Sequence, residues 1–245
     1  MLSRVASSIY WVNRYIERAE NYARFIEVNL NLSLDLPRGT VEQWEPLVAT
    51  TGDHEMFVAR YGKATKETVL HFLVADAENQ NSILSCLLGA RENARSIKEI
   101  IPSEMWEQVN RFYLMVRDAV TRGMSHHDLH AFLADVKAAS HLLWGITDAT
   151  MSHGEGWHFA RLGRLLERAD KTSRILDVKY FILLPTADEV GTPFDIIQWS
   201  DLLKSASALE MYYKRYGRIA PDDVAAFLIL EPTFPRAIRY CLIKA

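Results

Sequence analysis

The chain has 245 residues, with 28 Lys and Arg against 31 Asp and Glu and a net charge of −3, which argues against a broad nucleic-acid-binding surface. Its 49% apolar and 24% charged residues fit an ordinary globular protein, and no apolar run reaches the ~20 residues of a membrane helix. Cys86 and Cys241 form no close metal-type pair, and Met1 to Val12 flows into Asn13-Arg14 rather than a signal peptide, so a reducing cytoplasmic setting is expected.

Ser3 is an N-cap candidate for a helix running to about Leu34 and stopping before Pro37-Arg38-Gly39. A second helix is predicted from near Val41, carrying Trp44, Leu47, Val48, Met56, Phe57 and Tyr61 to a stop at Gly62. Thr65 opens a third segment with Val69, Phe72, Leu73 and Val74. The fourth helix is expected over about 79–101, with Ile83, Leu84, Leu87 and Leu88 inward and Pro102 as its breaker. Ser103 starts a helix with Met105, Trp106, Val109, Phe112, Tyr113 and Val116 on one side, broken at Arg122-Gly123. Another is predicted from Ser125 to about Met151, with Leu129, Phe132, Leu133, Val136, Leu142, Leu143 and Trp144. After a turn-rich stretch, Ser152-His153-Gly154-Glu155-Gly156, a long charged helix ends before Pro185. Residues 185–193 are the linker candidate. Helices over about 196–216 and 221–229 follow, and a last short one carries Ile238 and Leu242 beyond Pro232 and Pro235. No alternating strand pattern occurs, so the fold class is all-α, a helical bundle.

One stretch occurs twice. Arg14-Tyr15-Ile16-Glu17-Arg18-Ala19-Glu20 is echoed by Arg164-Leu165-Leu166-Glu167-Arg168-Ala169-Asp170, and the match continues through Arg24 and Arg174. Further matches follow at an offset of 155: Trp44 with Trp199, Arg60-Tyr61-Gly62 with Arg215-Tyr216-Gly217, Phe72-Leu73 with Phe227-Leu228, and Cys86-Leu87 with Cys241-Leu242. The pattern predicts one domain, 1–245, holding an internal duplication of a roughly ninety-residue unit. Repeat A covers 1–90, a helical spacer 91–150 and repeat B 151–245. As equivalent positions, the two cysteines read as small buried core residues.

In both copies an apolar sector (Val12, Tyr15, Ile16, Ala19, Tyr22, Ala23 and Ile26 in the first) lies opposite a charged one. Glu20 with Arg24 and Asp170 with Arg174 are spaced i, i+4, the arrangement of a solvated, self-paired helix face. The same residues also suit an Arg–carboxylate network between the two copies, with bidentate guanidinium contacts. A third reading is a ligand or catalytic site, with Glu17 and Glu167 as acid/base candidates and Arg14, Arg18, Arg164 and Arg168 holding an anion. Arg91-Glu92-Asn93-Ala94-Arg95 adds a smaller cluster in which Arg91 and Arg95 share a face. Gly154-Glu155-Gly156 before a helix lacks a full phosphate-loop pattern and reads as a turn. His126, His127 and His130 lack an acidic partner motif, and no His-Glu-x-x-His exists, so neither a metal nor a cofactor is expected.

Met1-Leu2-Ser3-Arg4, Tyr10-Trp11, the Glu17-Arg18 and Glu167-Arg168 motifs, Ala90-Arg91-Glu92-Asn93-Ala94-Arg95, Phe234-Pro235-Arg236 and Cys241-Leu242 together resemble the bacterial alpha-E domain family. The resemblance covers essentially the whole chain. It implies an all-helical domain named for its Glu-Arg motif, with Glu17, Arg18, Glu167 and Arg168 as the motif residues. It also implies partners: members are encoded with or fused to circularly permuted ATP-grasp proteins and transglutaminase-like proteins. The expected role is a helical partner or scaffold beside a carboxylate–amine ligase in peptide or amide-bond metabolism. A small-ligand-binding protein or enzyme using the Arg/Glu cluster, and a purely structural homo-oligomer, are the alternatives. Asp170 stands where the first copy has Glu20, which weakens any strictly symmetric chemistry.

Overall fold

The computed structural model describes residues 1–35, 44–123, 126–181 and 192–245. Among these, the chain forms twelve α-helices and one π-helical turn, with no strand. The helices are α1 (Ser3–Asp35), α2 (Glu45–Thr51), α3 (His54–Tyr61), α4 (Lys66–Leu70), α5 (Ile83–Ser96), α6 (Ser103–Arg122) and α7 (His126–Thr150). They continue as α8 (Glu155–Phe181), α9 (Pro193–Ser205), α10 (Leu209–Tyr216), α11 (Pro221–Leu230) and α12 (Ile238–Lys244). No described helix is long and apolar enough to cross a membrane. The expected helix start near Val41, the cap at Ser125 and most of the 185–193 linker lie outside the described residues.

Local chemistry sets the breaks, and several differ from expectation. The helix predicted from near 41 to 62 is cut in two after Thr51, where Gly52 takes the left-handed conformation (φ 82°) that glycine adopts without a Cβ penalty. The fourth helix is shorter than 79–101: Ser82 caps it by accepting the Ser85 N–H at 3.1 Å, and it ends at Ser96. The predicted 196–216 helix is also two, α9 and α10, parted at Ser207, whose φ is 49°. Leu88, expected inward, is exposed.

The helix boundaries recur at the spacing seen in the sequence. Residues 66–75 and 221–230, the ends of α3 and α10 at Gly62 and Gly217, and the starts of α5 and α12 at Ile83 and Ile238 all differ by 155. Asp76 (φ −65°, ψ 109°) and Glu231 (φ −62°, ψ 116°) follow the first pair with the same backbone. Each side chain accepts a backbone N–H two residues on, from Glu78 at 3.0 Å and Thr233 at 3.2 Å. Cys86 and Cys241 are fully buried. One departure is the π turn, His71–Ala75, where Asp76 N–H reaches back to the His71 carbonyl; Glu231 N–H closes an α turn on Phe227.

The chain divides into two compact units whose limits do not follow the predicted repeat boundaries. The first comprises Met1–Glu27, Leu70–Glu167 and Ala245. Its core lies along α5, α6 and α7, with Ile83, Leu87, Met105, Val109, Phe112, Leu133 and Val136 buried. Burying such side chains contributes ~1.5–3 kcal/mol each. The second comprises Val28–Val69 and Arg168–Lys244. There the buried Tyr212 stacks on Tyr216 and meets Phe227 edge-on, and its hydroxyl donates to the Arg218 carbonyl at 2.9 Å.

Candidate functional site

The two charged stretches meet in the first unit. Helical spacing puts Arg14, Glu17 and Arg18 on one flank of α1, and Gly163, Arg164 and Glu167 on one flank of α8. Gly163 sets the distance between the backbones: a Cβ there would run into the carbonyl oxygen of Tyr10. This close approach lets side chains 150 residues apart in sequence form one cluster.

Glu167 is its centre and is fully buried. Its Oε2 accepts from Arg14 Nε at 2.5 Å and Arg18 Nη2 at 3.0 Å, and its Oε1 accepts from Arg18 Nε at 2.7 Å. Arg18 therefore grips the carboxylate with two nitrogens, the fork geometry that favours arginine over lysine. Across the cluster Arg164 Nε lies 3.6 Å from Glu17 Oε2, and Glu17 is only 3% exposed. The partners are exchanged: Arg14 of the first stretch pairs with the glutamate of the second, and Arg164, its counterpart, pairs with the glutamate of the first. Such reciprocity is what an isologous contact between equivalent elements produces.

Neighbouring groups fix the guanidiniums. Tyr10 hydroxyl accepts from Arg14 Nη1 at 2.6 Å, and Arg164 stacks on Trp144 with its Cζ 4.1 Å from the ring centroid. Arg18 Nη1 donates to Asn81 Oδ1. Asn81 is itself held by Asn79, whose Oδ1 accepts the Asn81 N–H at 2.9 Å while its Nδ2 donates to the Phe72 carbonyl in the π turn. Burial pulls the pKa of Arg18 down, but the hydrogen bond and charge of Glu167 prevail and raise it above the ordinary arginine range; Arg14 is raised by the same contest. Both stay cationic at every accessible pH.

The remaining predicted residues have other partners. Glu20 is buried and accepts from Arg24 within the first turn that follows it, with His141 Nε2 at 3.6 Å. In the second unit Arg168 Nη1 donates to the Pro235 carbonyl at 3.4 Å, and Asp170 pairs with Lys171 and Arg174, each at 3.0 Å. Arg91 and Arg95 both bind Glu92, and Arg91 also donates to Asn110 at 2.7 Å. The solvated-face reading thus fails for Glu17, Glu20 and Glu167, which are buried, and holds for Arg95 with Glu92, which are exposed. Sequence reasoning placed Tyr10 only in the family-like opening motif and Trp144 only among the apolar residues of its helix, and it missed Asn81 and Gly163. Gly163 left a signal, as a glycine in a helix interior. Among the described residues no group of His, Cys, Asp and Glu is arranged to hold a metal ion.

Asp170 gives the second unit a pH dependence. Burial pushes its carboxyl up, but Lys171 and then Arg174 outweigh burial and hold it below the usual range. A depressed folded-state pKa contributes stability above the unfolded value, about 3.9, that is lost as pH falls through the folded one. In melts between ~pH 5 and pH 2, Asp170→Asn should flatten the acid limb and leave its slope above ~pH 5 unchanged.

The sequence model of Alpha-E, described as a predicted alpha-helical domain with a conserved ER motif, matches residues 1–245. The uncharacterized protein Mb2597 of Mycobacterium bovis is 22% identical over 257 residues, covering 98% of this chain. The uncharacterized protein Rv2567 of Mycobacterium tuberculosis is 21% identical over the same length. This chain spans about 28% of the length of both relatives. No solved structure gives a significant match.

Proposed function

The chain belongs to the Alpha-E family, and from that premise we propose that it is a non-catalytic helical partner or scaffold of an ATP-grasp carboxylate–amine ligase system. Its own contribution is a rigid surface rather than a reacting group. The observation that carries this reading is the state of the ER motif: Glu167 is fully buried with both oxygens held by Arg14 and Arg18. A general acid or base needs reach to the proton it moves, and this carboxylate is spent on joining α1 to α8. The longer mycobacterial relatives support the partner reading, because the similar region there is joined to further polypeptide. The recurring helix boundaries fit a duplicated module whose ER helices clasp each other.

Co-expression with an ATP-grasp ligase encoded beside it tests the proposal. A complex that survives size-exclusion chromatography at micromolar concentration is expected; separate elution of the two proteins would overturn it. A second reading, binding of a small anion, draws on Arg14, Arg18 and Arg164 keeping 14–19% of their side-chain surface exposed.

A further inference from the structure

An exposed side of α1 carries aromatic rings that the matching stretch of α8 lacks. Tyr10, Trp11 and Tyr15 correspond there to Ala160, Arg161 and Leu165, while Arg14 corresponds to Arg164. Ala160 and Leu165 are buried; Trp11 is 37% exposed, and Tyr10 and Tyr15 are half-buried. Small or aliphatic side chains are closed over in the later stretch, and rings stand at the surface in the earlier one. A large ring left partly in water can cover a ligand.

These rings frame Arg14. Tyr10 and Trp11 stand nearly at right angles, with centroids 5.5 Å apart and 83° between their planes. Arg14 Cζ is 5.6 Å from the Tyr10 centroid and 5.7 Å from that of Trp11, so the guanidinium sits in the corner the two rings make. Tyr15 continues the ledge, its centroid 5.4 Å from that of Trp11, and is backed by Gly89 of α5, where a Cβ would meet the ring at 3.1 Å. Arg14 uses Nε on Glu167 and Nη1 on Tyr10. Its Nη2 donates to none of the described residues, and the side chain keeps 19% of its surface exposed. Arg18, by contrast, uses Nε, Nη1 and Nη2 on Glu167 and Asn81.

The charge of the cluster selects the ligand. Arg14, Arg18 and Arg164 bring three positive charges against two negative ones from Glu17 and Glu167, which leaves a surplus of one. A carboxylate cancels that surplus. A phosphate dianion reverses it, beside two buried acids that repel it. A guanidinium edge also matches a planar carboxylate, and the Trp11 ring offers an apolar surface to the group that carries it.

We infer that the Tyr10–Trp11–Arg14 corner binds a single carboxylate borne by an apolar group, the carboxylate on Arg14 Nη2 and the apolar group against Trp11. This is the chemistry of an N-acylated amino acid or of the carboxyl end of a peptide. The inference deepens the anion-binding reading of the Arg/Glu cluster and rests on it.

Calorimetric titration of the whole chain with N-acetylphenylalanine tests it. Saturable binding with a dissociation constant of about 1 mM or tighter is expected, the range open to a ligand of this size. N-acetylphenylalaninamide, which lacks the charge, should bind at least about tenfold more weakly. The acid itself should weaken by a similar factor on Trp11→Ala and, separately, on Arg14→Lys, which keeps the charge without the planar edge. Trp11 is exposed, so a cooperative melt near the parent temperature shows that Trp11→Ala folds, and that variant carries the test alone if Arg14→Lys does not fold. A short peptide ending in phenylalanine tells the two sources apart: equal affinity assigns the site to a peptide end, and binding of the acylated amino acid alone assigns it to a free metabolite. No binding at ~10 mM, well above the expected constant, overturns the inference, as does binding indifferent to Trp11→Ala. Inorganic phosphate bound as tightly as N-acetylphenylalanine would overturn the carboxylate site and leave the anion reading standing; a chain that binds neither defeats both.

Discussion

Glu167→Ala is expected to cause the largest loss of stability of any single substitution in the ER cluster. It deletes a fully buried carboxylate and leaves Arg14 and Arg18, whose side chains are 19% and 14% exposed, without their shared anion. Removing one partner of a buried ion pair costs about 3–5 kcal/mol, mostly from the uncompensated charge left behind. At ~2–4 °C per kcal/mol for a chain of this size, the melting temperature should fall by roughly 10 °C. Glu17→Ala should cost less, because Arg164 is 3.6 Å away and Arg164 keeps its stacking on Trp144. The mechanism has a sharper signature in the combined variant Arg14→Met, Arg18→Met, Glu167→Leu. Replacing every member by apolar groups of similar volume is often neutral, so this triple variant should recover much of the loss. A melting temperature for Glu167→Ala within ~2 °C of the parent, less than 1 kcal/mol, would show that the clamp adds nothing to stability.

Gly163→Ala is the second large effect, and its sign is diagnostic. In an open helix position alanine is more stable than glycine by about 0.5–1 kcal/mol. Gly145, in α7 with nothing near its missing Cβ, should follow that rule and gain stability as Gly145→Ala. At Gly163 the new Cβ meets the backbone carbonyl of Tyr10, which has no rotamer with which to move aside. The helices must separate, at about 1–3 kcal/mol for overpacking. The geometry of Arg14 and Arg18 around Glu167 loosens with them. Chemical denaturation of the two alanine variants in parallel should therefore give shifts of opposite sign. A stabilised Gly163→Ala protein would mean that α1 and α8 do not approach as closely as the structure has them.

The two effects show where sequence reading reached and where it stopped. The doubled Arg-x-x-Glu-Arg pattern picked out Arg14, Glu17, Arg18, Arg164, Glu167 and Arg168 before any geometry; the first five lie in one cluster, while Arg168 donates to the Pro235 carbonyl instead. Two readings of their charge stood side by side, since the same spacing serves a solvated i, i+4 face and an interhelical network. Burial decided between them: Glu167 keeps no exposed surface, while Arg95 and Glu92, equally well spaced, remain on the surface. Asn81 was invisible because its part depends on the π turn at 71–75 and on Asn79, neither of which leaves a periodic mark.

The amino-acid order alone settled the helical class, most helix ends and the recurrence at a spacing of 155, because periodicity, caps and glycine stops act over a few neighbouring residues. It missed the breaks at Gly52 and Ser207, where strong apolar patterns run on across a backbone that turns. The exchange of partners between Arg14, Arg18, Glu17, Arg164 and Glu167 was decided only in three dimensions. Ion pairing depends on distance and on exclusion of water, and both are fixed here by how closely α8 approaches α1 at Gly163.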